Sequence, residues 1–335
     1  MKRKVSGRTK RGLGRITFRE ISSLSLKDFH NKKNKILVIR STGGLGDILM
    51  HRMMFEDFKR VMPEAELTFA CPKKYHEVAE DHPFIDHLVD CEGVSKYEFA
   101  LYYNTTSICN RHELARAPFS EKNRSDIWAN HCGVLLSNHN MHLNVKAEYI
   151  KKGKYLLRKI SNNFDGPIVI LSPVSAMTVK NLLPDQLQAV VNHLKSKNCF
   201  VVGLHNKEIN FPIPQLNYLS IKEWMGVVAA SDYVVSVDTS TFHLAGGLGK
   251  PLTGIFTFAD GKVYGKYYNF VLVQKHRDDG NWDCGPCYHW VKCPKTKKIP
   301  KPCLTELTPE SICNGIDKMF EKFPINSLNI SDGRS

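Results

Sequence analysis

The chain of 335 residues has no long hydrophobic run. Its apolar stretches are short, such as residues 36–39, whereas a membrane-spanning helix needs about 18 apolar residues. The basic N-terminus has neither the apolar core nor the small-residue cleavage site of a secretory signal. Glycine (22) and proline (16) are too few for a collagen-like or low-complexity protein. With 42% hydrophobic and 24% charged residues, the composition predicts a folded cytoplasmic protein of about two domains.

Acidic residues are absent from two strongly basic segments. Residues 1–15 hold seven Lys and Arg, and residues 292–301 hold five lysines, so together they account for most of the net charge of +14. Residues 1–34 lack apolar periodicity, and we predict a basic flexible arm there. Such an arm suits a phosphate-rich partner such as nucleic acid, anionic lipid headgroups or a phosphorylated glycan, although a solubilising tail is the alternative.

Short apolar strands alternate with helical patterns along two halves of the chain. This order is typical of parallel sheets covered on both faces, so we predict an α/β fold with two doubly wound domains. We place the first domain at residues 35–160 and the second at 161–307, with the polar stretch 151–166 as the boundary. Helices are predicted over 47–62 and, capped by Ser120, over 120–132. Residues 308–324 are predicted to form a final amphipathic helix capped by Thr308.

The first candidate motif is STGGLGD, residues 41–47, which joins the first strand to a helix. The amides of Gly43, Gly44 and Gly46 can approach a phosphate or a sugar closely, and the helix dipole favours an anion there. The spacing matches neither a P-loop nor GxGxxG, and a tight turn is the alternative. Asp47 is either a general base at the mouth of a cleft or an acid favoured by the helix dipole.

The second candidate motif is VDTSTFHLAGGLGKP, residues 237–251, which joins another strand to a helix. Asp238 can accept hydrogen bonds from sugar hydroxyls, and the amides of the following turn can bind phosphate oxygens. A helix cap and a packed His243 are the alternatives.

Three segments together resemble the family-nine glycosyltransferases, which include the ADP-heptose:lipopolysaccharide heptosyltransferases. They are ILVIRSTGGLGDILM, FKRVMPEAELTFAC and VSVDTSTFHLAGGLGKP, and the two glycine-containing motifs lie about 190 residues apart. The resemblance covers about residues 35–320. It implies the GT-B fold, in which two Rossmann-like domains face across a cleft. The C-terminal domain would bind the nucleotide-sugar, and the final helix would pack back on the N-terminal domain.

The resemblance also implies roles for single residues. Asp47 matches the base that deprotonates the acceptor for a direct, inverting attack. Lys180 matches the lysine that neutralises the donor phosphates, and Asp238 matches the acid that binds the sugar. The other matched residues surround the pyrophosphate: Thr239, Ser240 and His243. No cofactor is expected for catalysis.

The chain departs from the family pattern at three places. Ser240 replaces a glycine, and residues 256–260 (FTFAD) replace a Phe-Gly-Pro-Thr turn. These two departures leave the identity of the sugar donor open. His51-Arg52-Met53 replaces Thr-Thr-Pro at a place where an acceptor could dock.

Half of the ten cysteines crowd between residues 284 and 313. Four of them have the spacing C-x2-C-x5-C-x9-C and could hold a structural Zn or Fe ion: Cys284, Cys287, Cys293 and Cys303. Free thiols and disulfides are the alternatives, and His289 is a substitute ligand. The heptosyltransferases that act on autotransporter proteins have a similar cysteine cluster, in which four cysteines hold iron.

The sequence therefore predicts an inverting glycosyltransferase that moves a heptose-like sugar from ADP-heptose, or another nucleotide-sugar, to an anionic glycan such as lipopolysaccharide core. Hydroxymethylated DNA and protein hydroxyls are alternative acceptors, and a non-catalytic binding protein is a further alternative. We expect the protein in the cytoplasm, at the inner membrane or bound to DNA.

Overall fold

The structure, a computed structural model, describes residues 34–275, 286–288, 292–293, 296–298 and 300–324. Residues 1–33 of the predicted arm, Cys284 and His289 lie outside the described residues. The N-terminal half forms a parallel sheet of four strands: β1 (Lys35–Ile39), β2 (Glu66–Cys71), β3 (His87–Asp90) and β4 (Leu101–Asn104). They lie in the order β3-β2-β1-β4.

The C-terminal half forms a second parallel sheet. Its six strands are β5 (Ile168–Ser172), β6 (Phe200–Leu204), β7 (Gln215–Leu216), β8 (Tyr233–Val237), β9 (Leu252–Phe256) and β10 (Val271–Gln274). Their order, β10-β9-β8-β5-β6-β7, is the order of a Rossmann fold counted from β5. The direction of strand succession reverses between β1 and β4 and between β5 and β8. In open α/β sheets, ligands bind at the carboxyl ends of such strand pairs.

Helices connect these strands, and the predicted α/β architecture is confirmed. The helices of the first half are α1 (Leu45–His51), α2 (Phe55–Val61), α3 (Ile108–Arg116), α4 (Arg124–His131) and α5 (Ala147–Ile160). Those of the second half are α6 (Pro184–Ser196), α7 (Ile221–Ala230), α8 (Ser240–Gly247), α9 (Gly261–Tyr264), α10 (Pro302–Thr305) and α11 (Pro309–Lys322). None of the helices in the described ranges is both long enough and apolar enough to span a bilayer.

The helix predicted over 47–62 is interrupted by a 3-10 turn at Arg52–Met54. Arg52 is fully buried, and its guanidinium donates to the carbonyl oxygens of Met141 and Val78, each at 2.7 Å, and to Asp81 at 2.8 Å. His51 and Met53 are also buried. The expectation that an acceptor could dock at residues 51–53 is therefore wrong, because these side chains belong to the core.

The polar stretch 151–166, expected to be a boundary, lies mostly in α5. This helix packs on α7 of the C-terminal half at a very close approach. A Cβ added to Gly153 would lie 2.3 Å from the carbonyl oxygen of Gly226. The polar side chains of α5 are its solvent face rather than a linker.

Two further details differ from the sequence-based expectation. The helix predicted to begin at Ser120 begins after Asn123, whose side chain accepts from the amide of Ser125 at 2.9 Å, and Ser120 is buried. The final helix has its expected cap, since Thr308 accepts from the amide of Ser311. Its buried face lies on the C-terminal half instead of the N-terminal domain. The residues of that face share one core with β5 and α6: Ile312, Ile316 and Met319.

Candidate active site

Asp47 lies in the first turn of α1, directly beyond the carboxyl end of β1. Its carboxylate accepts a hydrogen bond from Arg40 Nη2 at 2.8 Å and another from Arg124 Nη1 at 2.9 Å. The amide of Gly44 donates to it at 3.2 Å, so Asp47 also caps its own helix. The side chain is 13% exposed. The acid that the resemblance matches to a catalytic base is therefore held between two guanidinium groups.

These contacts decide the charge of Asp47. Burial alone would raise the pKa of this carboxyl group, but the charges of Arg124 and Arg40 outweigh burial and hold the pKa well below its usual range. Asp47 is therefore ionised throughout the physiological pH range. A carboxylate with such a low pKa is a weak proton acceptor for as long as both arginines stay in place.

Each arginine is itself fixed by further contacts. Arg40, the first residue after β1, donates to the carbonyl of Thr105 at 3.1 Å and lies over the Trp128 ring. Arg124, the first residue of α4, donates to both oxygens of buried Glu113 at 2.8 Å. Its guanidinium also stacks over Tyr264 of the C-terminal half, 4.8 Å from the ring centre. Arg124 thus joins Asp47 to the opposite domain.

Gly43 is required by this arrangement. Its φ of +131° suits glycine, and an added Cβ would lie 2.6 Å from both Arg40 Nη2 and Asp47 Oδ2. A side chain at this position would push the ion pair apart. Gly44, by contrast, faces open space.

His51 backs the same site from the core. Its imidazole contacts the carbonyl of Asp47 at 2.7 Å and stacks on Trp128 at 3.7 Å. Burial, with the charge of Arg40 nearby, lowers the pKa of His51 to about 3. This histidine therefore stays neutral and acts as a rigid support for the loop.

The second cluster lies at the carboxyl ends of β5 and β8. Lys180, in the loop after β5, pairs with Asp238 at 2.7 Å, and Asp238 is buried. Burial alone would raise the pKa of Asp238, but the charge of Lys180 outweighs it and holds this pKa well below its usual range. Lys180 keeps 18% of its side chain exposed, so the ammonium can still reach a ligand.

The remaining matched residues form the start of α8. Thr239 precedes the helix and Ser240 is its first residue, and both are half-buried. His243, one turn on, is buried, and its Nε2 lies 3.8 Å from Asp238. Its Nδ1 lies 3.1 Å from the hydroxyl of Tyr268. Asp238 precedes this helix start directly in the chain, and the N-terminus of a helix favours an anion.

The two clusters meet through Gly46. A Cβ added to Gly46 would lie 2.9 Å from His243 and 3.5 Å from the Cα of Ser240. The starts of α1 and α8 are therefore in direct contact across the two halves. The structure thus places the loop of three glycines and Asp47 beside Ser240 and His243, and His243 in turn lies next to Asp238, which pairs with Lys180.

Sequence analysis missed the residues that surround Asp47. Arg40 could have been noticed, because a basic residue directly after a buried strand sits at the ligand-binding edge of the sheet. The other residues carry no local signal, because each is a single polar residue far from Asp47 in the sequence. They are Glu113, Arg124 and Tyr264.

Three cysteines of the proposed metal cluster are described: Cys287, Cys293 and Cys303. Cys293 is buried, and Cys287 and Cys303 pack against the hydrophobic core. Within the described ranges, no three Cys, His, Asp or Glu side chains are grouped as a metal would require. Cys284 lies outside them, so the four-cysteine site stays a prediction, and we assign no chemical step to a metal.

The two parallel sheets, whose switch points face each other, form the GT-B fold. Solved structures share the fold at low sequence identity. The family-nine glycosyl transferase from Veillonella parvula DSM 2008 is 11% identical with a TM-score of 0.61, covering 86% of this chain and 98% of that one. TibC from enterotoxigenic E. coli H10407, described as an iron-containing dodecameric glycosyltransferase, is 14% identical with a TM-score of 0.65, covering 86% of this chain and 76% of that one.

Sequence similarity is more local. The chain is 29% identical over 131 residues to the "Putative lipopolysaccharide heptosyltransferase 4" of E. coli K12. The aligned region covers 37% of this chain and 34% of that protein. The matched part thus spans about a third of the length of this curated relative. No protein-family model matches the chain. The chain is therefore similar to the heptosyltransferases of family nine, in fold over most of its length and in sequence over about a third.

Proposed function

We propose that the chain is an inverting glycosyltransferase that transfers a sugar from a nucleotide-sugar to a hydroxyl group. The observation that carries the proposal is the meeting of two clusters at Gly46. An ionised carboxylate, Asp47, stands on one side, and a lysine–aspartate pair at a helix start stands on the other. The two clusters would serve the acceptor and the donor, respectively.

The donor side suits a nucleoside diphosphate as leaving group. When the bond between the sugar and the diphosphate breaks, negative charge develops on the phosphate oxygens. Lys180 and the amides at the start of α8 would stabilise that charge. Asp238, kept ionised by Lys180, would accept hydrogen bonds from sugar hydroxyls.

The acceptor side suits direct attack. The acceptor hydroxyl would lose its proton to Asp47 while its oxygen attacks the anomeric carbon from the face opposite the diphosphate, which inverts the configuration. Because Arg40 and Arg124 keep Asp47 weakly basic, we propose that acceptor binding loosens at least one of the two ion pairs. The arginines would then be available to bind anionic groups of the acceptor.

ADP-heptose is the donor we propose to test first. TibC has been solved with ADP-D-β-D-heptose, and E. coli WaaC with ADP-2-deoxy-2-fluoro heptose. We propose an anionic glycan such as lipopolysaccharide core as the acceptor, in keeping with the name of the E. coli K12 relative. A cytoplasmic location, at the inner membrane or on DNA, stays a prediction.

The experiment measures nucleotide release from ADP-, UDP- and GDP-sugars with lipopolysaccharide core, with hydroxymethylated DNA and with no acceptor. We expect acceptor-dependent release that falls about 10²-fold or more in Asp47→Asn and in Lys180→Met. Asp165→Asn and Lys195→Met make the same charge changes at exposed positions away from the site and are expected to stay active. No release with any donor, or equal rates in site and control variants, would contradict the proposal.

A further inference from the structure

Beyond the arm, helix α5 is one of two segments with a large excess of positive charge, and the other is residues 292–301. Residues 34–335 contain 36 Lys and Arg against 31 Asp and Glu, and α5 alone has five cations against one acid, Glu148. The five cations fall within residues 151–159 and are all exposed. Outside α5, the 31 Lys and Arg from residue 34 onward nearly balance the 30 Asp and Glu, because acids elsewhere offset the five lysines of residues 292–301.

Four side chains of α5 form one outward-facing row, which we call the basic stripe: Lys151, Lys154, Tyr155 and Arg158. Their spacing of i, i+3, i+4 and i+7 places them on a single helix face. Tyr155 is 61% exposed in the middle of the three cations. Three charges and an aromatic ring thus cover a helix length of about 10 Å.

The opposite face of α5 is already occupied. Leu157 is buried, and Gly153 packs against the backbone of Gly226 on α7 so closely that no side chain fits between them. This contact fixes the direction in which the basic stripe points. It also removes the apolar face that a surface helix needs for insertion into a bilayer.

The charges of the basic stripe are not neutralised by neighbours in the described ranges. Lys152, which lies outside the stripe, pairs with Glu223 of α7. No salt bridge in those ranges joins Lys151, Lys154 or Arg158 to a carboxylate. Three like charges held on one rigid face repel one another, and a polyanion would relieve that repulsion.

We propose that the basic stripe binds the phosphate backbone of a nucleic acid. A DNA duplex carries about one charge per 1.7 Å of its axis with both strands counted, so a 10 Å length carries about six phosphate charges for the three cations of the stripe. An anionic bilayer is the poorer partner, because the stripe offers one tyrosine and no group of large apolar side chains to insert. This surface is separate from the proposed transferase site and does not depend on its activity.

The test uses the full chain and a short fluorescein-labelled DNA duplex, with binding followed by anisotropy at several salt concentrations. The stripe variant combines Lys151→Gln, Lys154→Gln and Arg158→Gln. The matched control removes the same net charge from three scattered exposed lysines on other elements: Lys73→Gln, Lys195→Gln and Lys318→Gln. Both variants keep the N-terminal arm, so its contribution is common to all proteins compared.

We expect the stripe variant to bind about tenfold or more weakly at low salt, with a slope of log K against log salt that is shallower by about 2.7, since each lost phosphate contact contributes about 0.9. The control should keep the wild-type slope. Equal losses in both variants, or no loss in the stripe variant, would overturn the proposal. It would also be overturned if the stripe mediated binding to vesicles containing phosphatidylglycerol while DNA did not bind. Far-UV circular dichroism checks that α5 stays helical.

Discussion

Replacing Arg40 with glutamine tests whether the two arginines set the basicity of Asp47. Arg40 Nη2 lies 2.8 Å from the carboxylate, while Arg124 holds the other oxygen at 2.9 Å. Glutamine removes the charge at the first contact and leaves the second in place. The substitution should therefore raise the pKa of Asp47 without freeing its side chain.

The size of the effect follows from the geometry. Two unit charges about 4 Å apart attract by about 4 kcal/mol at an effective dielectric constant of about 20. This energy corresponds to a rise in pKa of about 3 for the carboxyl group. Solvent that enters the space left by Arg40 offsets part of it, so we expect a rise of about 1 to 3.

The assay is the pH dependence of kcat/KM, whose acid limb reports the pKa of an essential base in the free enzyme. In the wild type this limb should lie below the measurable range, and in Arg40→Gln it should move to higher pH. Lys59→Gln breaks a peripheral ion pair with Asp86 in the same domain and serves as the control. A ¹³C NMR titration of labelled aspartate gives the same pKa without any turnover.

Two outcomes would refute the reasoning. If NMR places the pKa of Asp47 at the same low value in Arg40→Gln as in the wild type, Arg40 does not control its charge. If the pKa rises but the acid limb stays where it was, Asp47 is not the base. The thermal midpoints of both variants show whether a change in rate reflects loss of the fold.

Three further predictions concern the fold and the cysteines. Gly153→Ala should destabilise the protein by about 3 kcal/mol, because its Cβ meets backbone 2.3 Å away; Gly44→Ala, which faces open space, is the control in urea unfolding. Burial and the nearby charge of Arg52 lower the pKa of His82 to about 3. Below about pH 6.5 the unfolded chain binds a proton at His82 that the native state does not bind. The free energy of unfolding therefore decreases as the pH is lowered, by about 2 kcal/mol at pH 5. His82→Gln should reduce the fall of the thermal midpoint between pH 7 and pH 5, with the share of His51 remaining, whereas exposed His87→Gln should not change it. Elemental analysis should find about one Zn or Fe per chain, lost in Cys284→Ser but kept in Cys199→Ser; equal contents would contradict a metal at the cluster.

The fold was predictable because strand and helix periods are local signals. Each buried strand of the two sheets appears as a short apolar run, and the two glycine-containing motifs mark the strand ends at the switch points. The predictions of the fold that were wrong failed for physical reasons. Arg52 interrupts a helical pattern because its guanidinium is satisfied by carbonyl oxygens far along the chain. The apolar face of α11 predicts burial, but the sequence does not say against which domain.

The site was predictable only in part for the same reason. Asp47, Lys180 and Asp238 stand in recognisable motifs, whereas Arg124 lies 77 residues from the acid it binds. An ion pair between such distant residues leaves no periodicity or spacing in the sequence. The resemblance implied a base at Asp47, and the structure adds two guanidinium groups that hold the pKa of this carboxyl group low.

These contacts link Asp47 to the second domain through Arg124. Arg124 is held between Asp47 and the Tyr264 ring, and the hydroxyl of Tyr264 donates to Glu113 at 3.0 Å. At Gly46 the two halves touch with no room for even a methyl group, so a ligand that enters between α1 and α8 must separate them. A separation that moved Tyr264 away from Arg124 would expose the guanidinium to water, and this exposure would weaken its attraction for the carboxylate. Substrate entry and an increase in the basicity of Asp47 would then be one event.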